Sequence, residues 1–238
     1  MRTAWTIARR EFAAYFVSPI AYVVAATLLL VLGLIFFYDL SLQFERATTA
    51  YFFGNLTSLS FLIAPALTMR LLAEERRSRT LELLLTAPVR EGEVVFGKFL
   101  AGLGFYLFLV LLASVYPLIL LIFGNPDPGA LWTGYLGIVL FGAAIIALGT
   151  LASAVTQNQI VAYILGSGIL LGLWLVDMPA DLVSTGLGQV LRALSITGNL
   201  EGFAQGIVDT RHIVYYLSLT VLALFWATRV LEGRRWNG

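Results

Sequence analysis

Glu74-Glu75-Arg76-Arg77-Ser78-Arg79-Thr80-Leu81-Glu82-Leu83-Leu84-Leu85-Thr86-Ala87-Pro88 is a dense charged stretch between two apolar runs, residues 51–69 and 99–123, each long enough to cross a membrane. On a helix drawn through it, Leu81, Leu84 and Leu85 share one face, Glu74, Glu75, Arg76, Arg77 and Glu82 surround that face, and Pro88 ends it. An apolar ridge flanked by mixed charge suits insertion into a groove on another protein. A solvated loop helix with pairs such as Glu75 to Arg79 would also account for the charges, but such pairs contribute only a few tenths of a kcal/mol.

The rest of the chain explains why the stretch stands out. Hydrophobic residues make up 59% of the sequence, charged residues 12%, and the mean hydropathy is +0.88. Soluble domains average about 25% charged residues, so this is an integral membrane protein. Six apolar runs, at residues 18–38, 51–69, 99–123, 131–155, 160–176 and 213–227, hold no Asp, Glu, Lys or Arg. Unpaired backbone cannot sit in lipid and barrel strands would alternate in polarity every other residue, so the runs predict an all-α bundle of six transmembrane helices. The 238 residues leave no room for a separate soluble catalytic domain, and residues 1–238 read as one transmembrane domain. The first run is too long for a signal-peptide core of about 7–15 residues and should remain as a span.

An even number of spans places both termini on one side, and the Lys and Arg distribution says which. Arg2, Arg9, Arg10, Arg70, Arg76, Arg77, Arg79, Arg90, Lys98, Arg229, Arg234 and Arg235 fall with the termini and the loops after spans two and four; only Arg46, Arg192 and Arg211 fall opposite. That is 12 of the 15 basic residues against 3, while the 14 acidic residues divide evenly, giving +5 on one side and −4 on the other. Both termini and the charged stretch are therefore expected in the cytoplasm, with the chain in a bacterial plasma (inner) membrane.

Before span one, Trp5, Ala8, Phe12 and Tyr15 recur at helical spacing while Arg2, Arg9 and Arg10 occupy other faces. This predicts an interfacial elbow helix, with Trp5 and Phe12 in the acyl boundary and Arg9 and Arg10 on lipid phosphates. Ser18-Pro19 should open span one, since proline suits a first turn. Span two has a polar outer half with Asn55, Thr57, Ser58 and Ser60; small polar residues line pathways but also join helices. Spans three to five are rich in glycine, including Gly168-Ile169-Leu170-Leu171-Gly172, which points to close helix packing within one subunit or between two. Residues 177–212 form a long outer segment in which Leu182, Val183, Leu187, Val190, Leu191 and Leu194 give an amphipathic helical pattern, broken at Thr197-Gly198-Asn199 and resumed from Phe203 to Val208. Short outer-leaflet helices are the expectation. Asn55, Ser58, Phe203, Asp209 and Arg211 are the candidates for a pathway or outer gate.

Sites of covalent chemistry are missing. Gly92-Glu93-Val94-Val95-Phe96-Gly97-Lys98-Phe99 nearly matches a phosphate loop, but Phe99 replaces the magnesium-binding hydroxyl and no strand precedes it. Gly97 and Lys98 more simply begin span three, with the ammonium held at the interface. His212 is the lone histidine and cysteine is absent, so zinc and thiolate sites have no ligand cluster. Ion channels and proton-coupled carriers keep ionisable residues inside their spans, and the six runs hold none. No catalytic residue, metal site or resident cofactor is expected, and no nucleic-acid contact; a pump built this way needs an external source of energy.

At Glu74-Glu75-Arg76-x-x-Arg79-Thr80-x-Glu82-x-Leu84-Leu85-x-x-Pro88-Val89, followed by Gly97-Lys98, the chain resembles the permease subunits of ABC-2 type exporters, with Arg79 where that family usually has glycine. Glu11-Phe12 through Tyr15-Phe16-x-Ser18-Pro19-Ile20-Ala21-Tyr22, Pro65-x-x-Thr68-Met69-Arg70, and Gly206-Ile207-Val208-Asp209-x-Arg211-x-Ile213-x-Tyr215-Tyr216 are similar to the gliding-motility-associated branch. The resemblance implies a half-transporter: two permease subunits, identical or different, on two cytoplasmic ABC ATPase subunits that bind ATP and magnesium, with a large periplasmic or extracellular accessory protein as a further partner. It also implies that Glu74, Glu75, Arg76, Arg79, Thr80, Leu81, Glu82, Leu84, Leu85 and Pro88 belong to a coupling helix seated in the ATPase. Two other functions fit the same pattern: a permease of a copper-enzyme maturation exporter, and a non-transporting membrane anchor for an ATPase.

Overall fold

Apolar stretches of this length become helices because lipid offers the backbone no hydrogen-bond partner. The computed structural model describes residues 2–42, 49–74, 90–123, 126–181 and 185–235. Among the described residues there are ten α-helices and no strand: α1 Arg2–Val17, α2 Pro19–Leu42, α3 Thr49–Thr68, α4 Glu91–Ala113, α5 Val115–Phe123, α6 Pro128–Val155, α7 Gln159–Leu175, α8 Thr185–Leu194, α9 Gly198–Ala204 and α10 Thr210–Arg235, with a 3-10 turn at Met178–Asp181. Six stretches are long and apolar enough to span a membrane: Pro19–Ser41, Thr49–Thr68, Glu91–Phe123, Pro128–Val155, Gln159–Ala180 and Thr210–Gly233. The chain is thus an all-helical, multi-pass membrane protein.

Helix starts follow local chemistry. Pro19 opens α2 directly after Ser18. The Asp127 carboxylate accepts from Gly129 N at 2.8 Å with Pro128 in the first turn of α6, and the Asn158 side chain accepts from Ile160 N at 2.9 Å to start α7. The sixth span starts earlier and runs further than residues 213–227, because the Asp209 carboxylate receives Arg211 N at 2.9 Å and Arg229 pairs with Glu232 one turn apart at 2.8 Å. The third span starts at Glu91, eight residues before the apolar run. It is also broken at Ser114, three residues before Pro117, which lacks the N–H that Ala113 would have received.

In the outer segment the break comes earlier than the sequence pattern suggests. Helix α9 already begins at Gly198, whose N–H donates to Ser195 Oγ at 3.1 Å, and it stops at Ala204 before Gly206, which takes a left-handed φ of 88°. The helical stretch expected from Phe203 to Val208 is therefore a helix end followed by a turn.

Helix α6 is the hub. Of its apolar window 72% is buried, against 17% for the spans built on α2 and α7. Ile138, Phe141, Ala144, Ile145 and Ile146 are wholly buried there, and Phe53, Phe105, Tyr106 and Tyr216 complete the core. Close approach needs small residues on this helix: a Cβ on Gly142 would strike the Tyr106 ring, and one on Gly149 would strike Thr68 Oγ1. Gly168 and Gly172 of α7 differ, since a Cβ on either meets no described atom within 4 Å. Within this subunit the glycines of α4 and α6 serve helix packing, and the Gly-x-x-x-Gly pair faces outward.

Both ends of the bundle are defined by such contacts. At one end α1 lies on the start of α4, the end of α3 meets α6 and the α1–α2 corner, and Gly92 approaches Thr228 of α10. Asp177, the short helices α8 and α9 and the start of α10 gather at the other.

Candidate functional site

The charged stretch follows α3 in the chain, and the described residues include it as far as Glu74. Residues 75–89, which carry Glu75, Arg76, Arg79, Thr80, Leu81, Glu82, Leu84, Leu85 and Pro88 of the expected coupling helix, lie outside the described residues. Their root is fixed by two sets of hydrogen bonds. Ser153, near the end of α6, accepts the N–H groups of Leu72 and Ala73 at 3.1 Å each and donates to the Met69 carbonyl at 3.1 Å. One hydroxyl thus satisfies the backbone that α3 leaves open where its last turn unwinds. On the other side, the Arg70 guanidinium donates to Ser18 Oγ at 2.7 Å and to Glu74 Oε2 at 3.2 Å. Ser18 is the corner between α1 and α2, so the root of the stretch is tied both to the hub helix and to that corner.

Helix α1 is held by its own polar contacts. Tyr15 donates to the Leu67 carbonyl of α3 at 2.8 Å and stacks on Phe105 of α4 with centroids 4.7 Å apart. Burial, reinforced by the nearby Glu11 carboxylate, pushes its phenol well above the ordinary tyrosine value. The Glu11 carboxylate lies 3.4 Å from the Lys98 ammonium, whose side chain is only 2% exposed. Glu11, Tyr15, Ser18, Arg70 and Glu74 line one small pocket of about 120 Å³.

The Gly97-Lys98 pair therefore takes a different role from the interfacial ammonium expected of it. A Cβ on Gly97 would lie 2.7 Å from the Ala4 carbonyl oxygen, so glycine here lets the α1 backbone touch α4. Lys98 is buried beneath α1, where Glu11 balances its charge. Nothing in this arrangement resembles a cradle for phosphate.

The remaining elbow residues divide between two faces. Ala4 and Ala8 are buried against α4, and Phe12 packs edge-on to Phe16 at 5.2 Å and closes on Gly104. Trp5 is 68% exposed, off the face that Ala8, Phe12 and Tyr15 bury. Arg9 and Arg10 are exposed, Arg10 lying 3.3 Å from Glu11.

Among the pathway candidates, Asn55 donates to Asp39 Oδ2 at 3.4 Å between α3 and the end of α2, and Ser58 is exposed with its hydroxyl on the Gly54 carbonyl at 3.0 Å. Phe203 is wholly buried where Gly137 leaves room, and its carbonyl accepts from Thr133 at 2.7 Å, so it braces α9 against α6 instead of facing an opening. Asp209 caps α10 through Arg211 N. Only Arg211 of the five lines the large cleft at this end, about 950 Å³ in volume, where Asp177, Arg192, Asn199, Glu201 and His212 join it. The structure thus does not bring the five together. Among the described residues no group of His, Cys, Asp and Glu is placed to hold a metal ion.

Sequence reasoning placed Lys98 at the membrane interface, used Asn199 only as part of a helix break, and passed over Ser153. Lys98 was discounted because charge ends an apolar run; Ser153 and Asn199 give no sequence signal, since their importance lies in partners remote in the chain.

No curated protein matches the sequence. The family model described as ABC-2 family transporter protein matches residues 39–230, more than three quarters of the chain. The chain belongs to that family. It is a permease subunit of an ABC transporter, a membrane transport component that associates with an ATP-binding subunit.

Proposed function

We propose that this permease couples ATP hydrolysis on a separate cytoplasmic ATPase to export of a substrate, and that residues 74–93 are the element the ATPase moves. The observation carrying this reading is the root of the charged stretch, where Ser153 joins residues 69–73 to α6 and Arg70 joins Glu74 to Ser18. A displacement of the stretch would reach the most buried helix and the α1–α2 corner together. Such a displacement does work only if ATP changes the contacts made with the stretch.

The charge distribution supports cytoplasmic termini in a bacterial inner membrane, since the 12 basic residues of one side include those of the end where α1, α4 and α10 meet. In that orientation α1 is the elbow helix, with Trp5 toward lipid and Ala4, Ala8, Phe12 and Tyr15 on α4. A second permease subunit, a copy of this chain or a similar one, would seat on α7 at Gly168 and Gly172. The chain would act as one domain over residues 1–238 and bind no cofactor itself, leaving ATP and magnesium to its partner. The motifs at residues 11–22, 65–70 and 206–216 favour the gliding-motility-associated branch, in which a large outer accessory protein would complete the assembly.

Reconstituting the chain with each ATPase encoded beside it tests this directly. A stable complex with substrate-stimulated hydrolysis, lost in Leu84→Asp, is expected. Absence of any complex, with Leu84→Asp indistinguishable from wild type, would sink the proposal. A complex whose hydrolysis ignores every substrate would instead mark a membrane anchor.

A further inference from the structure

The cleft at the end of the bundle opposite the charged stretch has no part in that coupling scheme. Its floor is Asn199, which is buried and whose orientation is fixed by its partners. The amide Nδ2 donates to the carbonyls of Ala193 at 3.1 Å and Ser195 at 2.7 Å, so Oδ1 is the atom 2.7 Å from His212 Nδ1. Nδ1 must then donate to Oδ1, which fixes the orientation of the ring at the cleft.

Around this fixed imidazole the cleft sets two guanidiniums, Arg192 and Arg211, and two carboxylates, Asp177 and Glu201. Asp177 is oriented by the Ser195 hydroxyl, which donates to its Oδ2 at 2.8 Å. A simple anion would meet both carboxylates here, and a simple cation both arginines. A ligand carrying both charges matches the mixed lining, with arginine contacts suited to a phosphate. The volume of about 950 Å³ lies at the upper end of the usual range for small-molecule sites. Helices α8 and α10, which line the cleft, also carry exposed apolar residues: Leu187, Val190 and Leu194 on α8, Val214 and Leu217 on α10.

We propose that the cleft binds an aminoalkyl phosphate ester, the chemistry of a zwitterionic phospholipid headgroup. Arg192 and Arg211 take the phosphate, Glu201 and Asp177 the ammonium, and the fixed His212 ring forms part of the wall between them. The apolar residues of α8 and α10 carry the acyl chains when the ester is a lipid. Binding at equilibrium needs neither ATPase nor turnover, so its failure and that of the coupling proposal are separate results.

The full chain in detergent is titrated with phosphatidylethanolamine, phosphatidylglycerol and free phosphoethanolamine, with occupancy read by native mass spectrometry. Phosphatidylethanolamine is expected to bind about tenfold more tightly than phosphatidylglycerol, the factor for one charge-assisted contact. Glu201→Gln together with Asp177→Asn should abolish that preference, Arg192→Gln with Arg211→Gln should weaken both lipids, and Arg229→Gln should change neither. The preference is a ratio within each variant, so a reduced folded fraction does not mimic its loss. Free phosphoethanolamine competing as well as the lipid would support the proposal with a soluble ester as ligand. Equal binding of the two lipids to wild type, or retention of the preference when Glu201→Gln and Asp177→Asn are combined, would overturn it.

Discussion

Neutralising Glu11 should cost far more than removing the lysine it faces. Lys98 is 2% exposed and Glu11 19%, with 3.4 Å between ammonium and carboxylate. Glu11→Gln leaves a buried cation with weakened compensation, and losing a charge-assisted contact costs about 1.5–3 kcal/mol. Lys98→Met removes the cation but keeps the volume, and Glu11 retains access to water and to Arg10 at 3.3 Å; its cost should stay below about 1 kcal/mol. In the Lys98→Met background, Glu11→Gln should then be nearly neutral. At ~2–4 °C per kcal/mol for a chain of this size, Glu11→Gln alone lowers the melting temperature by about 3–12 °C. The assay is thermal unfolding in one detergent for the four members of the cycle. Additive effects, or a Glu11→Gln protein as stable as wild type, would refute the buried pair and return Lys98 to the lipid–water interface.

Three further outcomes follow from other contacts. Gly97→Ala should destabilise by about 1–3 kcal/mol, because the new Cβ meets the Ala4 carbonyl at 2.7 Å and a backbone atom yields only if α1 shifts; unfolding in detergent measures it, and an unchanged midpoint would count against the contact. Ser153→Ala should cost about 1–3 kcal/mol and raise the exchange rate of the Leu72 and Ala73 amides, read by hydrogen–deuterium exchange, since both lose their buried acceptor. Tyr15 has its phenol raised above the ordinary value of 10 by burial, so its contribution is complete below pH 10 and declines above it, where the unfolded chain loses the proton first. Tyr15→Phe should flatten that alkaline decline in a pH series of unfolding midpoints; an identical slope would argue against its burial.

The parts of this fold that depend on one residue and its sequence neighbours were readable. Apolar runs gave the six spans because each helix satisfies its own backbone, and Asp127, Asn158 and Pro19 mark their starts by local capping. Boundaries went wrong where a distant partner changes what a residue costs. Lys98 sits inside the third span with Glu11, more than eighty residues away in sequence, 3.4 Å from its ammonium, and a rule that ends a span at the first charge cannot know that. The ending of α8 and start of α9 were misplaced because Ser195 and Asn199 close them through side chains. The charged stretch was legible as something addressed to a partner, whereas its attachment through Arg70, Ser18 and Ser153 arises only when three separate spans come together.

The break at Ser114 bears on bilayer thickness. Glu91–Phe123 is 33 residues, which as one straight helix would measure about 50 Å, well beyond ~30 Å of hydrocarbon. The 23 residues of α4 alone reach about 34 Å, so they suffice to cross. The nine residues of α5 add about 13 Å and still expose Leu118, Ile122 and Phe123. The surplus does not project alone: after the break at Ser114 the Tyr116 hydroxyl donates to the Leu29 carbonyl at 2.6 Å and its ring lies 5.3 Å from Phe36, so α5 continues beside α2. A change in bilayer thickness is expected to be taken up at this joint, where the helix is already interrupted, without unwinding the hub.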